Sequence, residues 1–280
     1  MLRSILIGLD GSAHSRTALS LGIEWARRSN ALLVGLGIID EPTIRAAETV
    51  LVGGETFADP ILYRQRMVDA RRQVEQFLEQ FALQCAEAGV AAKVLEDMGM
   101  PAEEIVLEAQ RYDLVLLGQQ TRFHFETHWN CDDTLGKVLK NSPRPVVLVP
   151  AVRHEGGPVV VAYDGSLQAA RALCEFQATG LAALGLAPVQ ILSIATDHSV
   201  AARTAERAID YLRFHEIRAE SCPIVTGRST SEVLLEQIRL RSAGLVVMGA
   251  YGQSSLREFF LGSVTRSLLE DSPVPLFLSR

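Results

Sequence analysis

Leu245-Val246-Val247-Met248-Gly249-Ala250-Tyr251-Gly252-Gln253-Ser254-Ser255-Leu256-Arg257-Glu258-Phe259-Phe260-Leu261-Gly262-Ser263-Val264-Thr265 decides the fold of this 280-residue chain. Four consecutive apolar residues read as a buried strand, a glycine-bearing loop follows, and Val264 to Leu269 has helical spacing. In that order the three pieces turn backbone N–H groups into an anion site. Glycines let the backbone approach a ligand, and the first turn of a helix carries N–H groups without intrahelical partners. The stretch therefore reads as a phosphate cradle.

Working outward, parts of the cradle region recur earlier in the chain. Leu114-Val115-Leu116-Leu117-Gly118 matches Leu245-Val246-Val247-Met248-Gly249. Ile5-Leu6-Ile7-Gly8-Leu9-Asp10-Gly11-Ser12 matches Val159-Val160-Val161-Ala162-Tyr163-Asp164-Gly165-Ser166. Ser142-Pro143-Arg144-Pro145-Val146-Val147-Leu148-Val149 matches Ser272-Pro273-Val274-Pro275-Leu276-Phe277-Leu278-Ser279. Three landmarks in the same order mean a tandem duplication. The polar junction from Pro150 to Pro158, with Gly156-Gly157, predicts domains at 1–152 and 156–280.

Each half alternates apolar strands with helical patterns. The first predicts strands at 2–9, 31–39, 90–96, 113–117 and 145–149, with helices at 14–28, 60–88, 101–110 and 133–140. The second predicts strands at 158–163, 188–194, 218–225, 244–248 and 274–278, with helices at 167–184, 198–214, 229–241 and 263–270. Continuous apolar strands separated by helices imply an α/β fold of two tandem domains, each a mostly parallel, doubly wound sheet with helices on both faces. Ligands of such sheets bind outside the carboxyl ends of the strands, where the strand order reverses. Asp164 and Gly249 both fall at such ends. Residues 40–59 form an irregular insert with no counterpart of that length in the second half.

Composition narrows the function classes. A formal net charge of −6 with mixed signs argues against a nucleic-acid footprint. No apolar run approaches the ~18–20 residues of a membrane span. The N-terminus, Met1-Leu2-Arg3-Ser4-Ile5, enters a strand pattern at once, which predicts no leader and a cytoplasmic location. Cys85, Cys131, Cys174 and Cys222 lack CxxC spacing and read as reduced, buried thiols.

Asp-Gly-Ser after the first strand and Gly-x2-Gly-x9-Gly-Ser after the fourth resemble the universal stress protein family, over nearly the whole chain. The resemblance implies a five-stranded, Rossmann-like sheet per domain, of the adenine nucleotide alpha hydrolase type. It also implies a last strand that pairs across an internal pseudo-dimer or a homodimer. In the family this glycine pattern marks members that bind ATP or a related adenine nucleotide (AMP or ADP), which points to Mg²⁺ as a companion. Carried over, Asp164 would accept from ribose hydroxyls or help hold Mg²⁺, beside Ala162, and Ile194 would pack on adenine. Gly249, Gly252, Gln253, Ser254 and Ser255 would wrap the phosphates. Gly262, Ser263 and Val264 would donate from the helix end, with Thr265 a further candidate.

The same alignment predicts that the first half has lost the cradle. At an offset of 130, Gly262-Ser263-Val264 falls on Asp132-Asp133-Thr134. Aspartates cap free N–H groups and match the helix dipole, and so repel a polyphosphate. In the loop before them, His124, His128, Cys131 and Asp132 are minor candidates for Zn²⁺ ligands, but the spacing is not a standard one and a surface loop capped by aspartates is the preferred reading.

No nucleophile–base pair falls near the cradle by spacing, and the P-loop pattern is absent. A nucleotide-binding stress or regulatory protein is the leading expectation. A slow ATPase or phosphotransferase, for which Arg257 and Arg266 could supply cations, is the first alternative. A scaffold without nucleotide is the second.

Overall fold

The computed structural model describes residues 1–47, 49–52, 55–121, 123, 133–153, 156–184, 188–250 and 263–280. Two compact units divide the chain, Arg3–Pro143 and Arg144–Arg280, with Met1–Leu2 joining the latter.

The Arg3–Pro143 unit runs β1 (Ser4–Leu9), α1 (Ala13–Ser29), β2 (Leu32–Ile39), α2 (Glu41–Ala47), β3 (Thr49–Val52), β4 (Glu55–Ala58), α3 (Pro60–Glu87), β5 (Ala92–Met98), α4 (Pro101–Ala109), β6 (Leu114–Gly118) and α5 (Thr134–Asn141). Its main sheet has the order β6-β1-β2-β5, all parallel. Every residue of β6, and all but the first of β1 and β2, is buried, as a sheet covered on both faces requires. α1 packs Ala18, Leu21, Trp25 and Ala26 inward, as its spacing predicts. α3 buries Val74, Leu78 and Phe81, whereas Leu62 in its first turn is exposed.

The insert departs from the irregular expectation. Asp40, fully buried, accepts from the Thr43 N–H at 3.2 Å and starts α2. β3 and β4 then pair antiparallel, Thr49 opposite Ala58 and Val52 opposite Glu55. Two β-prone runs separated by Gly-Gly carry the sequence signal of such a hairpin.

The second unit runs β7 (Val146–Val149), β8 (Val159–Ala162), α6 (Leu167–Thr179), β9 (Val189–Ala195), α7 (His198–Phe214), β10 (Ala219–Val225), α8 (Thr230–Leu240), β11 (Leu245–Gly249), α9 (Ser263–Asp271) and β12 (Leu276–Ser279). The parallel order is β10-β9-β8-β11-β12, with β7 added antiparallel to β12, Phe277 opposite Val147. Pro223 sits on β10 at the sheet edge, where a missing N–H is tolerated. α6 ends five residues earlier than the sequence pattern suggests. Gly180 adopts the left-handed conformation there (φ 73°), a helix stop, and a 3-10 turn occupies 181–184. Phe176 of α6 meets Phe277 of β12 edge-on at 5.8 Å, joining helix to sheet in the core.

The thiol expectation holds for Cys85, whose pKa burial pushes up to about 11, but Cys174 is exposed and Cys222 only half-buried. Among the described residues, no helix is long and apolar enough to cross a membrane.

At the end of β5 a carboxylate cluster predicts a pH dependence. Burial raises the pKa of Asp97, Glu108 adds to the rise, and Arg111 opposes it. Burial likewise raises Glu104, followed by Asp97, Glu103 and Glu108. Raised in the folded state, these groups favour folding fully below the usual carboxylate range and lose that contribution as pH climbs through their folded values. Asp97→Asn is therefore expected to raise the urea midpoint at neutral pH and to gain less near about pH 4. An equal gain at both pH values would exclude the charge as its origin.

Candidate functional site

In the second unit β8 has β9 on one side and β11 on the other, so the chain reverses strand order between β8 and β11. The carboxyl ends of two neighbouring strands thereby diverge into a crevice. Asp164 and Gly249 stand at that crevice, as the sequence placed them.

The turn after β8 is built from three residues. Gly165 takes φ +78°, which lets the chain reverse tightly. The Asp164 carboxylate accepts from the Ser166 N–H at 2.9 Å, and the Ser166 hydroxyl accepts from the Ala169 N–H at 3.2 Å as the N-cap of α6. The first repeat reproduces the device: Gly11 at φ +72°, Asp10 accepting from Ser12 N–H at 2.9 Å, and Ser12 from Ser15 N–H at 3.0 Å. Asp-Gly-Ser is thus a turn-and-cap unit whether or not a ligand is involved.

Around the second-repeat turn lies a cleft of about 300 Å³. Seven residues expected from the sequence line it: Ala162, Asp164, Ile194, Gly249, Ser263, Val264 and Thr265. Asp164 and Ser263 are exposed, while Thr265 is buried at the base of α9. Leu192, Leu234 and Met248 add an apolar wall that the sequence reading did not assign, and Thr230 of α8 adds a hydroxyl. No local motif marks Thr230 or Leu234, because only packing brings α8 to this crevice. Tyr163 also lines the cleft, and burial, then Cys174, raises the pKa of its hydroxyl. The expected contacts Gly252, Gln253, Ser254, Ser255 and Gly262, like Arg257 and the candidate metal ligands His124, His128, Cys131 and Asp132, lie outside the described residues.

Gly249 has a structural duty of its own. A Cβ there would meet the Gln168 carbonyl carbon at 2.5 Å and the Ala169 nitrogen at 2.8 Å. Both are backbone atoms, so the glycine is what allows the start of α6 to rest on the end of β11.

A model of the universal stress protein family matches residues 1–150 and again residues 157–280. The chain belongs to the universal stress protein family. Its two matches make it a tandem, two-domain member. Universal stress protein Slr1230 of Synechocystis sp. is 24% identical over 174 residues, a match covering 60% of this chain and 58% of that protein. The chain thus spans under two thirds of that relative. A universal stress protein of Archaeoglobus fulgidus shares the fold at a TM-score of 0.71 and 22% identity, covering 99% of this chain and 98% of that one. A functionally unknown protein of Pseudomonas aeruginosa, PA1789, does so at 0.63 and 15%, covering 99% and 92%.

The two repeats of this family member differ over their shared turn. Gly8 is the counterpart of Ala162, yet the tip of the Phe123 ring lies 2.9 Å from where a Gly8 Cβ would stand, and Phe123 is only 2% exposed. Phe77 of α3 covers Gly11 in the same way. In the second repeat the corresponding neighbour of Gly165 is the small side chain of Thr204, and Ala162 faces the cleft. The sequence led to the expectation that Asp132-Asp133 removes the cradle from the first half, and Asp132 lies outside the described residues. Asp133 does stand at the N-cap of α5, but without a side-chain cap hydrogen bond. Among the described residues, aromatic rings of Phe123 and Phe77 stand against the first turn, where Thr204 and the cleft lining stand against the second.

Proposed function

We propose that the chain binds one adenine nucleotide, ATP or a related one, in the second-repeat cleft, and that occupancy serves as a regulatory signal in a stress response. The observation that carries this is the meeting, in one cleft, of an apolar wall, a carboxylate and the N-terminus of α9. A volume of about 300 Å³ suits a small ligand, and the lining matches the three parts of a nucleotide. Leu192, Ile194, Leu234 and Met248 would take the base. Asp164 has acceptor capacity beyond its bond to Ser166, for ribose hydroxyls or for a phosphate-bound Mg²⁺. Ser263, Val264 and Thr265 open α9, where free N–H groups and the helix dipole favour phosphate. Gly252 to Ser255 and Gly262 belong to this reading as the rest of the cradle. A ligand bound only by the folded form stabilises it by about 2.7 kcal/mol at a hundredfold excess over Kd, so occupancy alone can shift a conformation or an assembly.

Calorimetric titration with ATP, ADP and AMP, with and without Mg²⁺, tests the reading. One nucleotide per chain is expected, with a matching rise in Tm. Ser263→Asp puts a carboxylate at the helix end and is expected to weaken binding at least about tenfold. If none of the three nucleotides binds, or Ser263→Asp binds unchanged, the assignment fails.

A further inference from the structure

The 28-residue helix α3 buries Ala70, Val74, Leu78, Phe81 and Cys85 in the first unit. On its opposite side Ile61, Gln65, Val68, Arg72, Glu79 and Leu83 recur at helical spacing, and all six are exposed. Three of them are large and apolar: Ile61 is 80% exposed, Val68 52% and Leu83 63%. Around Ile61 and Val68 lies a groove of about 390 Å³, lined also by Pro60, Arg64, Gln65 and Asp69. Charge along the helix is segregated. Residues 60–72 hold four arginines and one aspartate, while residues 73–87 hold three glutamates and no base. The helix itself gains nothing from this order. Glu87 lies in the last turn, where the dipole favours a base, and Glu75 and Glu79 stand one turn apart and repel each other. Neighbours do not compensate. Among the described residues Arg64, Glu75, Glu79 and Glu87 make no ion pair, and Arg72 reaches Asp69 only at 3.9 Å.

We propose that this face of α3 docks on the same face of a second copy of the chain, the two helices lying antiparallel across a two-fold axis near Glu75 and Gln76. The charge order selects that direction. Antiparallel contact lays the basic half of each helix on the acidic half of the other, whereas parallel contact would oppose like with like. A register that sets Gln76 opposite Glu75 carries Arg72 onto Glu79, Val68 onto Leu83 and Arg64 onto Glu87 of the other copy. By symmetry each pair occurs twice. Each Val68–Leu83 contact then lies between two ion pairs, an apolar seam rimmed by charge. The groove beside Ile61 receives the turn from Leu83 to Glu87. A second copy is the partner certain to carry the complementary order on a helix of equal length.

Sedimentation equilibrium of the full chain, across protein concentration and at low and high salt, tests the pairing. A monomer–dimer equilibrium is expected, and it should weaken with salt as the exposed ion pairs are screened. Arg64→Glu combined with Arg72→Glu makes the face acidic throughout, and Glu79→Arg combined with Glu87→Arg makes it basic. Each double variant alone is expected to dimerise at least about tenfold more weakly than the wild type. An equimolar mixture of the two is expected to recover the dimer, because every reversed pair is then complementary. All four positions are exposed, so both variants should keep the wild-type circular dichroism. Recovery in the mixture could not come from damaged folding. A wild type monomeric at every concentration overturns the proposal and leaves a different protein as the occupant of the face. A dimer indifferent to both double variants overturns it by placing the contact elsewhere, and a mixture no tighter than its parts overturns the antiparallel pairing.

Discussion

Phe123→Ala is expected to destabilise the first repeat by about 3–5 kcal/mol, the usual cost of emptying a buried aromatic site. Phe123 is 2% exposed, and its ring tip rests beside the Leu117 methyl over the Gly8 main chain. That floor is sheet backbone and cannot collapse into the space left behind, so the cavity term adds to the lost transfer energy. Urea unfolding followed by circular dichroism measures the loss. Since the two compact units need not melt together, transitions should be assigned before the midpoint is read. Benzene or indole should raise the midpoint of the variant and leave the wild type unchanged, because an apolar cavity of this kind binds such rings. Nucleotide affinity should not change, since the proposed cleft lies in the other unit. An unaltered midpoint would show that the Phe123 ring over Gly8 contributes no packing energy.

Gly249→Ala is expected to lower stability and nucleotide affinity together. The added methyl meets the main chain of Gln168 and Ala169 at 2.5 and 2.8 Å, so α6 must move away from β11. Overpacking of this sort costs about 1–3 kcal/mol. The displaced α6 carries Ser166 and Gln168, which line the cleft, so ATP binding should fall at least about tenfold. A glycine needed only for the approach of phosphate would behave differently, losing affinity at unchanged Tm. Paired melting and titration of this variant separate the two roles.

Much of this molecule was legible in its sequence. The runs Ile5-Leu6-Ile7 and Val159-Val160-Val161 are apolar without alternation because both faces of their strands are covered, so parallel sheets followed directly. The hairpin in the insert was also legible, through two β-prone runs flanking Gly53-Gly54. Seven of the expected residues line one cleft, Asp164, Gly249 and Ser263 because they stand at strand ends and a helix start that the sequence marks, and Ile194 through the family resemblance.

Leu234 and Thr230 could not be found in this way, since α8 reaches the crevice only through packing. Nor could Phe123, one residue in a loop of mixed composition, be recognised as the group that lies on Gly8. By itself the sequence determined the duplication, the parallel sheets and the two identical Asp-Gly-Ser turns, because strands, caps and turns are set by neighbours a few residues away. Only the tertiary structure decided which described side chains surround each turn. That depends on the volume of side chains brought from distant positions, a phenyl ring over Gly8 in one repeat and a cleft beside Ala162 in the other.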